Sequence, residues 1–321
     1  MTRSLVSAEQ HSVTRPETIT ELFDEYDAYL FRVRNLAFDT VKIRRLYLNR
    51  AATLLSLGTA ADHFFALTPR RLMSAVDGYA LKYAPGSRSF FQMALRSILR
   101  FCYLRRYMDL DLSGYVPSFR RPRLASIPRA IPEDIIERLM ASIDPESENG
   151  RRDLAIIAIL ATYGVRGWQV RHLLMCELEW ATSRIHFPAC KRGKSIIQVL
   201  TTEVGNRLSD YIRHERPATT MSPEVFIGSK PPYAPFKWPA ELSVMITKRL
   251  RQAGLQVPEG VSGGTHGFRH AFASRLCGKV PFKYISDMLG HRDTSTVLVY
   301  AKVNFDDLAQ VALPWPEGGV L

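Results

Sequence analysis

Apolar side chains recur at three- and four-residue spacing between about residues 19 and 112, as in Leu22, Tyr26 and Leu30, with Leu46, Ala51 and Leu55 as a second set. That is the period of amphipathic helices, and it predicts a helical domain over residues 18–112 behind a polar, disordered tail at 1–17. Near its end Leu95, Ile98, Leu99, Phe101 and Leu104 interleave with Arg96, Arg100, Arg105 and Arg106, which predicts a helix carrying a basic stripe. The pattern restarts at Pro132-Glu133-Asp134, where proline and acids suit a helix N-terminus. Leu154–Ala161 reads as a buried helix closed by Gly164, followed by a helical stretch Gln169–Met175. Glu177–Trp180, Arg184–Pro188 and Ser195–Leu200 alternate or run apolar, so they predict three short strands with Lys191-Arg192-Gly193-Lys194 as a hairpin tip. After about Glu203 the helical period returns, broken at Gly228–Pro239 and Gly260–Gly264. The expected architecture is mainly α in two domains, the second with a small antiparallel β-sheet.

Between these domains, residues 113–132 hold four prolines, four arginines and no acid. Such proline density favours an extended strap, so residues 113–131 are expected to link the two domains. The 321-residue chain has a net charge of +12 and a pI near 9.7, which suits a polyanionic partner. Residues 1–130 carry 20 Lys/Arg against 11 Asp/Glu, a net of +9, and residues 131–321 carry 23 against 20, a net of +3. The first part is therefore the expected electrostatic clamp, with Arg120, Arg121 and Arg123 of the strap joining the helical stripe. An arginine facing phosphate and one facing water look alike in a sequence, so the stripe and the strap also fit ordinary solvated surface. Cys102, Cys176, Cys190 and Cys277 are scattered without a C-x-x-C pair, the N-terminus lacks the apolar h-region of a signal peptide, and no apolar run is long enough for a membrane span. A reduced, cytoplasmic chain without a membrane role is expected.

The chemistry concentrates in the second half. His266, Arg269 and His270 stand at i, i+3 and i+4, hence on one helix face. Pro281 opens a further short helix with Gly290 as its cap, which sets His291 just past a helix end; Tyr300 follows nine residues later. Arg166 lies just behind the buried helix. Together these residues offer a nucleophile, phosphate-binding cations and proton carriers, enough to break a phosphodiester without a metal. Neither a Walker A sequence nor carboxylates spaced for two Mg²⁺ ions accompany them, so no cofactor is expected.

The ordered set Arg…Lys…H-x-x-R…G-H-x8-Y resembles the tyrosine recombinase (phage integrase) family over nearly the whole chain. ATYGVR resembles the first family box and gives Arg166; the hairpin lysine falls on Lys191, with Lys194 as the competing assignment. THGFRHAFASRL resembles the second box and gives His266 and Arg269, and LGHRDTSTVLVY supplies His291 and the nucleophile Tyr300. Two positions depart from the pattern: Gln169 stands where the family usually has Glu, and Tyr163 where Thr is more usual.

The resemblance implies a SAM-like core-binding domain at the N-terminus and a catalytic domain over residues 132–321. It also implies a 3′-phosphotyrosyl intermediate with a 5′-hydroxyl leaving group, and strand exchange between specific DNA sites through a Holliday junction. His266 would accept the tyrosine proton, Lys191 would protonate the departing oxygen, and His291 would hold a phosphate oxygen or the tyrosine. The implied working form is a homo-tetramer on double-stranded DNA, or an assembly with a paralogous recombinase, with an accessory directionality protein as a possible partner. A type IB topoisomerase shares the covalent chemistry, and a DNA-binding regulator could keep the fold without the reaction. The intact residue set and the separate basic domain favour recombination.

Overall fold

Among the described residues two large apolar cores are drawn from residues between Ile19 and Val116 and between Ile131 and Ala271, and Phe272, Ala273, Ile285 and Leu289 form a third, smaller cluster. The computed structural model describes residues 15–117, 130–190 and 193–290. The chain divides into two units, Met1–Pro122 and Arg123–Leu321. Expectations placed on Arg120, Arg121, Arg123, Lys191, His291 and Tyr300 lie outside the described residues, as does most of the N-terminal tail.

In the first unit, α1 (Ile19–Arg32) starts where it does because Thr18 and Glu21 form a reciprocal cap. The Thr18 hydroxyl accepts from the Glu21 N–H at 3.1 Å, and the Glu21 carboxylate accepts from the Thr18 N–H at 3.3 Å. Next come α2 (Phe38–Leu54), the single turn α3 (Asp62–Phe65), α4 (Pro69–Lys82) and α5 (Pro85–Leu104). Thr68 caps α4, with Pro69 at its first position. In α2 the buried face is Val41, Leu48 and Ala51, and Leu46 points to solvent. Leu46 precedes Ala51 by five residues, so it falls off the stripe that helical spacing defines.

The basic stripe of α5 is also shorter than expected. Arg96 and Arg100 lie on the helix, but Arg105 is its C-cap and Arg106 follows in a left-handed conformation. Arg96 donates twice to the Val116 carbonyl, at 3.1 and 2.7 Å; Arg100 pairs with Asp111, and Arg105 with Glu25 at 3.1 Å. Val116 is buried and the Pro117 carbonyl accepts from Gln92, so the first residues of the Pro-Arg stretch pack on this unit. At its other end Ile131 is buried in the second core. Both ends carry apolar side chains with a core to enter.

The second unit is mostly helical with one small sheet. Helices α6 (Glu133–Ser142), α7 (Gly150–Tyr163) and α8 (Gly167–Arg171) precede β1 (Leu178–Glu179), β2 (Arg184–Phe187) and β3 (Ile196–Val199); α9 (Thr202–His214), α10 (Glu241–Gln252), α11 (Thr265–Leu276) and α12 (Phe282–Met288) follow. The strands form an antiparallel sheet in the order β1-β2-β3, with Arg184 opposite Val199 and Phe187 opposite Ile196. Helix α7 is the hub: residues Leu154–Leu160 are buried on every side, against α6, α8, α9, α10 and α11. Each such Leu or Ile contributes about 1.5–3 kcal/mol by leaving water.

The helical stretch expected to run to Met175 stops at Arg171. Beyond it the chain turns to pair with a distant segment. Leu174 bridges Glu224, the Val225 N–H donates to the Leu173 carbonyl, and the Met175 N–H donates to the Pro223 carbonyl. No helix among the described residues is long and apolar enough to cross a membrane.

A buried ion cluster secures the start of α7. Asp153 accepts from Arg152 through one carboxylate oxygen and from Arg249 of α10 through the other, at 2.9 and 2.8 Å. Arg152 also donates to the Ile227 carbonyl, and Arg249 to the Glu148 carbonyl. Removing the shared carboxylate leaves the buried Arg152 and the part-buried Arg249 without their common acceptor. Asp153→Ala should therefore lower the unfolding free energy by about 3–5 kcal/mol in urea denaturation. A loss below about 1 kcal/mol would show that the two arginines find another acceptor.

Candidate active site

Four chain segments converge at the C-terminal end of α7. The helix ends at Gly164, whose left-handed φ of +58° reverses the chain. A Cβ there would stand 2.6 Å from the Phe272 ring of α11, so glycine is required on both counts. The reversal buries Val165 and leaves Arg166 half-buried as the N-cap of α8. The Arg166 N–H donates to Gln169 Oε1 at 3.1 Å, and Gln169 Nε2 donates to the Pro188 carbonyl at 3.0 Å. Among the described residues, no hydrogen bond or ion pair engages the Arg166 guanidinium.

The loop between β2 and β3 forms the second segment. The Gly193 N–H donates to the Cys190 carbonyl at 2.9 Å, which closes a turn. A Cβ at Gly193 would lie 2.9 Å from the Gly290 carbonyl and 3.8 Å from Arg166 Nη1. This loop therefore touches both the first arginine and the residue that precedes His291. Lys194 is exposed, and its carbonyl faces Gly290.

Helix α11 is the third segment. Gly167 packs on Thr265, with only 3.0 Å between a Cβ built on the glycine and Thr265 Cγ2, which brings the start of α11 against the start of α8. His266, next to Thr265, is exposed; His270 is half-buried. Burial, together with the His266 and Arg269 charges, holds the His270 imidazole below the ordinary histidine value. Arg269 is only 6% exposed. Its Nη1 donates to the Gly164 carbonyl and its Nη2 to the Leu289 carbonyl, both at 2.9 Å. This arginine thus ties the end of α7 to the end of α12.

That second end is the fourth segment. Gly290 also takes a left-handed φ, +62°, and a Cβ there would sit 2.8 Å from Ile196 Cδ1 of β3. The chain is consequently fixed on several sides where it hands over to His291.

The described part of the site thus brings Arg166, Arg269 and Gly193 towards Gly290, with His266 next to the Thr265 that packs on Gly167. Two guanidinium groups and an imidazole are the residue types suited to holding an oxyanion. Lys191, His291 and Tyr300 belong to the segments on either side of it, outside the described residues. Sequence reasoning singled out Tyr163 as unusual but gave it no structural role. The Tyr163 hydroxyl donates to the Val199 carbonyl at 2.8 Å and accepts from the Thr201 N–H at 3.2 Å, bracing α7 against β3 and α9. Both partners lie far along the chain, so no local signal could reveal them.

Residues 129–307 match the model of the phage integrase family. The candidate integrase/recombinase y4rA of Sinorhizobium fredii is 37% identical over 224 residues, covering 70% of this chain and 53% of that protein. The chain therefore spans about half the length of this curated relative. Among solved structures, the XerH site-specific recombinase in a post-cleavage complex with its palindromic difH substrate superposes with a TM-score of 0.70 at 15% identity, covering 92% of this chain and 85% of that one. A lambda integrase tetramer bound to a Holliday junction gives 0.67 at 14% identity, covering 88% and 77%. At these identities the structural likeness is one of fold: a mainly helical chain with a small antiparallel sheet. The family model, in contrast, covers more than half of the sequence, including the H-x-x-R and G-H-x8-Y motifs, and the chain belongs to the tyrosine recombinase (phage integrase) family.

Proposed function

We propose that this chain is a site-specific DNA recombinase that cleaves and rejoins DNA through a 3′-phosphotyrosyl intermediate. The observation that carries the reading is the convergence of Arg166, Arg269 and the Gly193 turn on Gly290, the residue that leads into His291 and Tyr300. Membership of the family supports it further.

In this reading the Tyr300 oxygen attacks the scissile phosphorus. The P–O bond to the tyrosine forms as the P–O5′ bond breaks. His266 takes the phenolic proton, and Lys191 delivers a proton to the departing 5′-oxygen. Arg166 and Arg269 offer planar donor sets to the non-bridging oxygens, where negative charge accumulates, and His291 holds a phosphate oxygen or the tyrosine. A guanidinium carries five N–H groups, and the Gly164 and Leu289 carbonyls each accept from one of those of Arg269. Preorganised donors of this kind are each worth about 10²–10³ in rate. The phosphotyrosyl ester conserves the bond energy, so a 5′-hydroxyl of another strand can reverse the steps without ATP or an external oxidant or reductant.

Strand exchange of this kind needs two DNA sites and four active subunits. The working form is accordingly a tetramer of this chain, or of this chain with a paralogous recombinase, on a Holliday junction, and an accessory protein could set direction. The lambda integrase tetramer of similar fold supports that assembly. Arg100, Arg105 and Arg106, with Arg120, Arg121 and Arg123 of the strap, would neutralise backbone phosphates, whereas Arg96 is engaged by the Val116 carbonyl. The scattered cysteines suit the reducing bacterial cytoplasm, where the chain would meet the nucleoid.

Tyr300→Phe should form no covalent adduct with a suicide duplex nicked beside the cleavage position, yet bind the same DNA nearly as well in a gel-shift titration. An adduct retained in that variant would remove the nucleophile assignment. Arg166→Lys should slow single-turnover cleavage by about 10²–10³, since an ammonium cannot present two parallel donors; a near-normal rate would mean that another cation occupies the site. Finally, a 5′-bridging sulfur leaves without a general acid, so it should restore cleavage to Lys191→Ala and make little difference to Lys194→Ala. The opposite pattern would transfer the role to Lys194.

A further inference from the structure

Tyr163 is the last residue of α7, and its side chain meets the last residue of each strand that flanks the loop carrying Lys191 and Lys194. Its ring lies against Phe187 of β2, with centroids 5.5 Å apart, and its hydroxyl donates to the Val199 carbonyl of β3 at 2.8 Å. The same oxygen accepts from the N–H of Thr201, the N-cap of α9. A phenol has one hydrogen and lone pairs to spare, so it serves both backbone groups at once. Tyr163 itself is buried. Among the described strands β3 pairs with β2 alone and forms an edge of the sheet. Its first residue, Ile196, packs where a Cβ on Gly290 would come within 2.8 Å, and the Gly193 turn just before it abuts the Gly290 carbonyl. Whatever fixes β3 along its length therefore fixes the loop against the end of α12.

We infer that Tyr163 is a positioning residue for leaving-group protonation: its hydroxyl sets the place of β3, and β3 sets the place of the loop lysine that hands a proton to the departing 5′-oxygen. The role rests on the recombinase reading of this site. Without the hydroxyl, the Val199 carbonyl and the Thr201 N–H face the carbon edge of a ring and recover partners only if the edge strand shifts. A shift at Val199 passes along the extended strand to Ile196 and the turn before it. Of the groups in the proposed reaction, the lysine is the one mounted on that loop, whereas Arg166 caps α8 and Arg269 stands on α11. Attack on phosphorus and the hold on its oxygens are therefore left as they were. The step that slows is breakage of the P–O5′ bond, because the oxygen departs as an alkoxide unless the ammonium gives it a proton. A sulfur in its place departs as a thiolate and needs none.

The test compares wild type, Tyr163→Phe and Tyr163→Met for single-turnover adduct formation on two suicide duplexes, one with the ordinary 5′-oxygen and one with a 5′-bridging sulfur. DNA affinity and thermal unfolding are measured beside it. The Phe variant, which keeps the ring and loses only the hydroxyl, should be slower than wild type by about 10- to 100-fold on the oxygen duplex. On the sulfur duplex it should match wild type, with DNA affinity unchanged. A bond that serves stability alone would lower the melting temperature and leave the ratio of the two rates at its wild-type value. That result overturns the inference, as does equal slowing on both duplexes. Should the Phe variant fail to fold, the Met variant is read in the same way, and a wild-type rate ratio in it overturns the inference equally. If wild type forms no adduct on either duplex, the recombinase reading falls and takes this role with it. If wild type cleaves both and the hydroxyl-free variant keeps its rate ratio, the positioning role falls alone.

Discussion

A guanidinium sealed inside the second unit holds the ends of two helices together. Arg269 donates to the Gly164 carbonyl, where α7 stops, and to the Leu289 carbonyl, where α12 stops. Carbonyls at a helix C-terminus lack their own intrahelical donors and carry the negative end of the helix dipole. Two such ends meeting one cation offset part of the cost of burying it, and the cation supplies the donors those carbonyls need. Everything else at the site is arranged around this junction. Gly164 must be glycine for the carbonyl to reach Arg269, and the same turn delivers Arg166. Gly290 continues from the other carbonyl and fits between the Gly193 turn and Ile196.

The parts of this arrangement that depend on short-range geometry were legible in the sequence. Residues at i, i+3 and i+4 share a helix face wherever the helix forms, and His266, Arg269 and His270 do lie on one face of α11. Gly164 and Gly290 read as helix ends because a left-handed residue after a periodic run is almost always glycine. The strand positions followed from alternation, and observed β1, β2 and β3 fall inside the expected stretches. What the sequence concealed is decided by partners far along the chain. Leu173 and Leu174 leave the helical path to meet Pro223–Val225, and Gln169 reaches Pro188, 19 residues away. Arg269 read as a phosphate ligand, whereas its two carbonyl bonds to distant helix ends carry no local signature. Leu46 was assigned to a buried face because single-residue spacing is a weak guide in a helix with several apolar sides.

Charge shows the same limit. Composition gives residues 1–130 an excess of nine positive charges, but many of the arginines that carry it have acidic or carbonyl partners inside the unit. Arg45 pairs with Asp24 and Asp27, Arg100 with Asp111, Arg105 with Glu25, and Arg15 with Asp62. The net charge still sets the long-range potential, since pairing does not change the sum. Local recognition is another matter. Exposed ion pairs contribute only about 0–1 kcal/mol, so an arginine such as Arg100, half exposed beside Asp111, can exchange its carboxylate for a phosphate at little cost. Arg96 differs, because it binds a backbone carbonyl and holds the Val116 turn in place.

This difference separates two kinds of arginine in the chain. Some, such as Arg100 and Arg105, are held by carboxylates at a solvated surface, and their contacts weaken with salt. Others, such as Arg96, Arg152 and Arg269, spend donors on buried or half-buried carbonyls, and salt reaches them far less. The first kind is suited to tracking a polyanion of variable sequence, where contacts must form and release. The second kind fixes backbone geometry before any ligand arrives. Arg166 belongs to neither: it is half-buried, without a hydrogen-bond or ion-pair partner among the described residues, and its main chain is locked by a buried amide. In the proposed reaction, a cation whose main chain is held in register would need no reorganisation when charge develops on the phosphate. The rigidity of the helix junction and the proposed chemistry are thus linked: the buried donors fix the frame in which Arg166 would meet an anion.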